Sequence, residues 1–586
     1  MKTHRSTVFV LTTAAGMTIM GLLGTLIVLQ TGDLRYSLDD PYIHLRVSEL
    51  IARGGYGVNI GEPAAPSSSI LFPFLLAPFA GTAVHAYVPL LLCLAATLVS
   101  LWYLAGLAAM SSRTVPPAPS ALRSQLMNPA FQAAFIVMLG GALNLFGIVF
   151  TGLEHSLHIA LSIGIIAGCV QLLERDLLPR LLVLLIILCP LIRFEGLALS
   201  GVAILLLIAV RRWRAALLAS GGIGLGLAGW ALFARIQGLP LLPSSVATKS
   251  QLVADGLEGG GLSRFIANTL TNLDMTTMSK AGQSLLLMLL ATLTLLAVQA
   301  WRLRDQRRPV ITCLWLALLA LGTVGAHAVA GRYGWFGRYE NYARLVCIAI
   351  VIWALFGASD PVTARPAPVR ANGHTPLPWR WLATAAVASV TVLAGRRSLE
   401  MQATLLTPAA AAEVYSQQYQ MARFAHDYAR VPVAVNDLGL VSYHSDHYVL
   451  DLWGLGSEPA RIARSHATAN AADWIAPLID AHDVQLAMIY AKWFPMVPDD
   501  WCHLGNLTLD HPSVIPIEAP VAFFATSAEA APKLQAALEA FVGTLPRKAM
   551  FTFATADHRG CPMPEASNPI RPGRMLATVA ASAIRR

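Results

Sequence analysis

Asp39-Asp40-Pro41-Tyr42-Ile43-His44-Leu45-Arg46-Val47-Ser48-Glu49-Leu50-Ile51-Ala52-Arg53 is the stretch on which the reading of this chain turns. It follows the first strongly apolar segment, residues 7–30, so two carboxylates stand where a chain leaving a membrane meets water. Ile43, Val47, Leu50 and Ile51 recur at i, i+4, i+7 and i+8, while His44, Arg46, Glu49 and Arg53 fall on other faces. That spacing predicts a short amphipathic helix lying along a surface, stopped by Gly54, Gly55 and Gly57. A second apolar piece, 70–79, is broken by Pro73 and Pro78 and is too short to span, so it is expected to rest at the interface. The acidic pair itself reads in two ways. Asp40 before Pro41 is good helix-start chemistry, with a carboxylate at the N-cap and proline in the first turn. A cap needs one carboxylate, however. Two side by side tend to raise one pKa, which suits a general base. On this local argument Asp40 is the cap and Asp39 the carboxylate free for chemistry.

Working outward, the 586 residues are 55% hydrophobic and 13% charged, well below the roughly 25% charge of soluble domains. A mean hydropathy of +0.57 and repeated apolar runs of span length predict a polytopic α-helical membrane protein. The net charge of +9 is no nucleic-acid footprint, because the basic residues cluster in short connecting segments, as they do where they set membrane orientation. Segments near 7–30, 85–110, 130–151, 156–173, two short runs up to 210, 215–234, 283–301, 310–330, 345–357 and 381–395 give about 11 transmembrane helices. Arginine-dense loops (211–214, 302–308, 365–380) fall on one side. The first loop (31–84), the long loop 235–282 and everything after 396 fall on the other. Residues 1–395 are therefore expected to form a transmembrane domain and 396–586 an external α/β domain. In the latter, strands near 431–435, 448–452 and 484–490 alternate with helices near 413–430 and 473–481. Five of the seven cysteines lie in apolar runs. Cys502 and Cys561 are the two in the external part, where oxidation is favoured, and are expected to pair.

Several ionisable residues cluster at the external ends of these segments. They are Glu154 and His155 in Gly152-Leu153-Glu154-His155, Arg193 and Glu195 in Arg193-Phe194-Glu195-Gly196, and Lys249 at the end of Leu239-Pro240-Leu241-Leu242-Pro243-Ser244-Ser245-Val246-Ala247-Thr248-Lys249. Arg332, Arg338 and Tyr339 follow the ninth segment. Charge at span ends is costly and commonly tied to function. The plainer readings are snorkelling for Lys249, anionic headgroups for the arginines, and mutual pairing for Arg193 and Glu195.

The acidic pair with Tyr42, Ile43 and His44, followed by Gly55-Tyr56-Gly57-Val58-Asn59-Ile60-Gly61-Glu62-Pro63, resembles the first external loop of GT-C glycosyltransferases. The closest pattern is that of polyprenyl-phospho-sugar-dependent enzymes such as the terminal arabinofuranosyltransferases of cell-wall arabinan. The 239–249 segment resembles their Leu-Pro-Asn-Thr-x-x-Ala-Lys element. Arg338-Tyr339 resembles an Arg-Tyr element, and the Glu154 and Arg193–Gly196 segments resemble Gly-Leu-Glu and Arg-Pro-Glu-Gly elements. This chain departs from the pattern at Pro41, at Pro66-Ser67-Ser68-Ser69, where Ser-Asn-Pro is common, and at Phe194, which stands for proline. The resemblance implies a multi-pass protein of a bacterial plasma membrane that works on the external face. It implies inverting transfer of a sugar, arabinofuranose being one candidate, from a polyprenyl phosphate to a glycan or glycolipid acceptor. An acid of the 39–40 loop would be the base. Lys249, Arg338, Arg332 and Arg193 would meet the donor phosphate, and Tyr42, His44, Glu154, His155, Glu195 and Tyr339 would line the substrate. No organic cofactor is called for, and a divalent cation beside the acidic pair stays open. No P-loop or Gly-x-Gly-x-x-Gly unit sits in a nucleotide-binding context.

Two other classes share the outline. A membrane transporter would place its charges near the bilayer midplane within repeated halves, whereas here they lie at span ends and no repeat is evident. A non-catalytic cell-envelope assembly protein would work through the external domain, whose Val435-Asn436-Asp437-Leu438-Gly439 turn reads most simply as a strand–helix connection without chemistry. The arginine pattern makes a direct prediction: a reporter fused after residue 460 is active outside the cytoplasm. Activity confined to the cytoplasm overturns the arrangement.

Overall fold

The computed structural model describes residues 2–110, 126–240, 243–244, 261–334, 336–357, 379–397, 400–467, 472–515 and 520–554. Among the described residues six helices are long and apolar enough to cross a membrane: Thr3–Thr31, His85–Ala108, His155–Arg175, Trp213–Ile236, Lys280–Arg302 and Arg307–Ala330. The other expected spans fall on the shorter apolar helices Pro129–Ala142, Leu182–Ile192, Gly196–Ala209, Asn341–Gly357 and Leu382–Arg396. The protein is thus mostly helical and multi-pass. One apolar core joins these helices, with His155–Arg175 and Asn341–Ile352 buried almost all round and the Trp213–Ile236 helix at its rim. Ionisable groups are confined to the ends of these helices because an unpaired charge within the hydrocarbon layer is expensive.

Helix α1 (Lys2–Thr31) delivers the chain to the acidic pair, and α2 spans Asp40–Ala52. Its start differs from the expectation by one residue. Asp39 holds the N-cap position and Asp40 is the first helical residue, with Pro41 in the first turn. Asp39 makes no side-chain cap to its own helix. The surface-lying α2 expected from its periodicity is also corrected, since every residue from Pro41 to Leu50 is buried. The polar face survives burial because it is paired throughout. Arg46 donates to Glu49 (3.0 Å) and to the Val58 carbonyl (2.7 Å), Glu49 meets His444 at 2.6 Å, and Ser48 meets His85 at 2.8 Å. Part of what covers α2 is the C-terminal domain, which period-3.6 patterning alone cannot reveal.

After α2 a small hairpin pairs β1 (Gly57–Asn59) with β2 (Glu62–Pro63). Asn59 exchanges two hydrogen bonds with the backbone of Val449 (both 2.9 Å), and Glu62 accepts from Tyr448 (2.6 Å) and Ser457 (2.7 Å). The loop is thus stitched to the last third of the chain. That third does not begin at 396. Helix Glu400–Ser416 still packs on α1 and on Pro129–Ala142, with Thr404 3.0 Å from Asn144.

Beyond it, β3 (Val433–Val435), β4 (Val449–Asp451), β5 (Leu486–Tyr490), β6 (Cys502–Leu509), β7 (Val521–Ala525) and β8 (Ala549–Phe553) form one sheet in the order β4-β3-β5-β7-β6-β8. β4, β3 and β5 run parallel, and β5, β7, β6 and β8 are antiparallel. β3, β4 and β5 match the expected strands; β6 to β8 extend the sheet beyond them. Because β3 connects outward to β4 and the chain then returns to β5 on the other side, the connections part at the carboxyl ends of β3 and β5. That is the place where open α/β sheets form a crevice. Cys502 is disulfide-bonded, and its expected partner Cys561 lies outside the described residues.

In this crevice the short helix Gly439–Ser442 begins, and it meets the N-terminus of α2. Gly439 is needed there for space: a Cβ would collide with the backbone oxygen and the carboxylate of Asp39. Gly439→Ala is expected to loosen the contact between the sheet domain and the helical body by about 1–3 kcal/mol, the usual cost of overpacking. Thermal unfolding in detergent, paired with limited proteolysis between the two parts, checks this. An unchanged profile refutes it.

Candidate active site

The two neighbouring aspartates have opposite fates. The Asp39 carboxylate accepts the backbone N–H of Gly439 (2.6 Å) and of Leu440 (2.8 Å), capping the Gly439–Ser442 helix across 400 residues of sequence. It is 5% exposed and lies near the carboxyl of Asp437, which accepts from Tyr490 Oη (2.8 Å) and Gln418 Nε2 (2.9 Å). Two buried carboxyls side by side repel as anions, which favours a proton on one of them. Burial, and then the neighbouring Asp437 charge, push the Asp39 pKa well above the ordinary aspartate range, against the two amides. Burial likewise raises that of Asp437. Asp40, by contrast, keeps a side chain 27% exposed and meets Arg338 Nη2 at 2.9 Å. The roles expected from local helix chemistry are therefore reversed in geometry: Asp39 is the occupied carboxylate, and Asp40 is the accessible one.

Arg338 lies just ahead of helix Asn341–Ile352 and is 2% exposed. Its Nη2 also donates to Tyr339 Oη at 3.1 Å. Its Nε and Nη1 are buried with no hydrogen-bond partner among the described residues. A guanidinium has five donors in a rigid fork, and leaving two unmatched in a buried place is costly unless a ligand takes them.

Tyr339 links this pair to a second cluster. Its ring lies 5.9 Å from the Arg193 guanidinium and 6.0 Å from the His155 ring. Arg193 follows helix Leu182–Ile192 in extended backbone and is clamped by Glu154 (2.6 Å) and by both oxygens of Glu195 (2.6 and 3.2 Å). Glu154 also approaches His44 Nε2 at 3.4 Å and accepts from Ser68 at 3.1 Å, while His44 Nδ1 meets Ser67 at 3.0 Å. Burial alone would raise the Glu154 carboxyl, but Arg193, and then His44, outweigh it and hold it below the usual glutamate range. Glu195 is brought down to about 2 in the same way, chiefly by Arg193.

Asp40, Arg338, Tyr339, Arg193, Glu154, Glu195, His44 and His155 thus form one connected cluster, drawn from four separate parts of the sequence. Others stand apart. Tyr42 is 3% exposed and packs edge-on to Tyr36 and beside Tyr443, in the seam between loop and sheet domain. Arg332 is exposed. Lys249 lies outside the described residues. Arg193 is saturated by two carboxylates, so its geometry is that of a positioning group rather than a phosphate ligand. Asp437, Ser67 and Ser68 join the site without having been singled out for chemistry. The serines occupy the position where the sequence departs from Ser-Asn-Pro, which was the available signal. Among the described residues no group of three or more His, Cys, Asp or Glu side chains is arranged to hold a metal ion.

The family described as Domain of unknown function (DUF8728) matches residues 410–528. No curated protein sequence matches the chain. Two solved structures are similar in outline. One is the archaeal oligosaccharyltransferase AglB from Archaeoglobus fulgidus in complex with an inhibitory peptide and a dolichol-phosphate, at 10% identity and a TM-score of 0.37, covering 86% of this chain and 75% of that one. The other is an Archaeoglobus fulgidus oligosaccharyltransferase in complex with Zn and sulfate, at 11% identity and the same TM-score, covering 91% and 74%. A likeness this loose transfers neither a site nor an activity.

The raised pKa of the buried Asp39 and Asp437 makes the seam pH-sensitive. The folded pair holds its proton to higher pH than a free aspartate, whose pKa is about 3.9. Its contribution is therefore complete in acid and is lost as pH rises through the raised pKa. Asp437→Asn supplies an amide hydrogen in place of that proton. The melting temperature of the wild type is expected to fall as pH rises above the ordinary aspartate range, and that of Asp437→Asn to fall less. Parallel pH profiles refute a proton held by this pair.

Proposed function

We propose that the protein is a membrane glycosyltransferase that moves a sugar from a polyprenyl-phosphate donor to an external hydroxyl acceptor, with Asp40 as general base. The observation that carries the reading is the Asp40–Arg338 pair, in which the carboxylate is the accessible member and the buried arginine retains two unmatched donors. A carboxylate beside a guanidinium with open donors suits a reaction in which a proton is taken up at one atom and phosphate charge is met at the next. In this scheme an Asp40 oxygen accepts the acceptor's O–H proton and the freed oxygen attacks the anomeric carbon. The bond from that carbon to the phosphate oxygen breaks, and the leaving polyprenyl phosphate keeps the electron pair. Direct displacement with one base inverts the anomeric centre, as in inverting hydrolases. Arg338 Nε and Nη1 would hold the phosphate, with Lys249 as a second cation.

Arg193, Glu154, Glu195 and His44 shape the wall behind Tyr339. Buried ion pairs of this kind fix side-chain orientation more than they stabilise. The sugar, arabinofuranose or another, and the glycan or glycolipid acceptor belong to the same proposal. So does the placement of this face outside a bacterial plasma membrane. It is supported by the loop and span-end elements that resemble polyprenyl-phospho-sugar-dependent GT-C enzymes.

The test is donor discrimination by purified protein across a panel of polyprenyl-phospho-sugars, scored by release of polyprenyl phosphate. Asp40→Asn is expected to lower turnover by about 10²- to 10⁴-fold with donor binding retained, and Arg338→Ala to weaken donor binding. Asp39→Asn is expected to act through stability, with kcat per folded molecule preserved. Full turnover in Asp40→Asn, or no release from any donor, sinks the reading.

A further inference from the structure

Beneath Tyr339 the cluster continues into the helical body. His155 and His158 stand three residues apart on the first turn of helix His155–Arg175, so they share a face and lie about 4.5 Å apart along its axis. His155 meets the Tyr339 ring at 6.0 Å. His158 lies against Tyr342, on the first turn of Asn341–Ile352, with ring centres 4.3 Å apart and planes tilted by 31°. Two His–Tyr layers are thus stacked, the upper one in the cluster around Arg193 and the lower one a turn deeper. The Tyr342 ring also meets His327 edge-on at 5.6 Å.

His158 is 1% exposed and Tyr342 2%, and neither His158 Nε2 nor Tyr342 Oη has a hydrogen-bond partner among the described residues. Unmatched polar atoms this deep cost stability, because water served them in the unfolded chain. Phenylalanine at 342 would fill the same space without that cost, so packing alone does not account for the hydroxyl. Open space reaches the edge of this layer. Glu195, whose charge bears on both rings, keeps 26% of its side chain exposed while it holds Arg193.

We propose that His158 and Tyr342 select the donor's sugar, each hydrogen-bonding a ring hydroxyl while Arg338 holds the phosphate. The proposal rests on the transferase reading above. A hydroxyl both donates and accepts, and an imidazole nitrogen and a phenol oxygen can answer it in either role. Neutral partners suit a neutral sugar ring, as the buried guanidinium beside Tyr339 suits the anion attached to it. In the structure the two rings rest on each other, so the sugar enters by turning the Tyr342 ring aside, a motion that no hydrogen bond to its oxygen opposes. Such a site discriminates steeply, because a sugar lacking the matching hydroxyl leaves the same polar atoms unmatched.

The experiment uses the full chain in detergent. Binding of the polyprenyl-phospho-sugar panel and of monodeoxy analogues is measured by titration, beside release of polyprenyl phosphate and thermal unfolding without donor. Tyr342→Phe is expected to melt at or above the wild-type temperature, since it removes an unmatched buried oxygen. It should bind the preferred sugar about tenfold more weakly, the scale of one hydrogen bond, and should no longer distinguish that sugar from one of its monodeoxy analogues. His158→Leu should lose discrimination at a different hydroxyl. A melting temperature lowered by Tyr342→Phe identifies a hydroxyl held by structural water, and equal weakening for every sugar and analogue identifies a packing role; either overturns the proposal. Hydroxyl-specific losses of binding with no release from any donor keep the sugar site and sink the transferase reading. Release with undiminished sugar preference in both variants keeps the transferase and overturns the sugar site. Binding of no donor overturns both.

Discussion

The structure depends on one carboxylate being spent on architecture. Asp39 leaves the membrane with the first loop and inserts into the amides of Gly439 and Leu440, at the switch point where β3 and β5 part. In an open α/β sheet that crevice is where a ligand usually binds, because strand ends and a helix N-terminus converge there. Here the occupant belongs to the same chain. The Asp437 carboxyl, held by Tyr490 and Gln418, lies near this contact, and burial raises the pKa of both acids. An unpartnered carboxylate this deeply buried would be strongly destabilising. The two amides, and a raised pKa that favours the neutral acid, are what allow it.

The next residue inherits its position from that contact. With Asp39 fixed as N-cap, Asp40 begins α2 and faces Arg338, while the rest of α2 is enclosed between helical body and sheet domain. The hairpin contacts of Asn59 and Glu62 to Val449, Tyr448 and Ser457 hold the far side of the same seam. The sheet domain is therefore part of the wall that sets the geometry of Asp40, not a module hung on a linker.

Much of this was legible in the chain. Apolar runs and arginine-rich connections gave the helices, because hydrocarbon admits few other solutions. Charge at span ends pointed to Glu154, Arg193, Glu195, Arg338 and Tyr339, which do come together. What local reading missed came from distant partners. Asp40-Pro41 is good capping chemistry, yet the cap fell one residue earlier because Asp39 had amides to bind 400 positions away. Arg46 and Glu49 looked solvent-facing, since nothing in a 3.6-residue period tells water from a paired, buried polar face. Asp437 looked like an ordinary turn residue because its partner sits in another domain. Among the strands, β6 to β8 escaped notice, since His503, Asn506 and Thr508 interrupt one run and the others are only five residues long.

The charged groups beside Asp40 are divided between two arginines that differ in what they have left to give. Arg193 is fully engaged by Glu154 and Glu195, whereas Arg338 meets Asp40 through Nη2 and keeps Nε and Nη1 unmatched among the described residues. A phosphate entering this region would add negative charge where Coulomb terms are poorly screened. On the proposed reading Arg338 would meet it, and drawing that guanidinium toward phosphate would loosen its hold on Asp40 and leave the carboxylate oxygen to the acceptor hydroxyl.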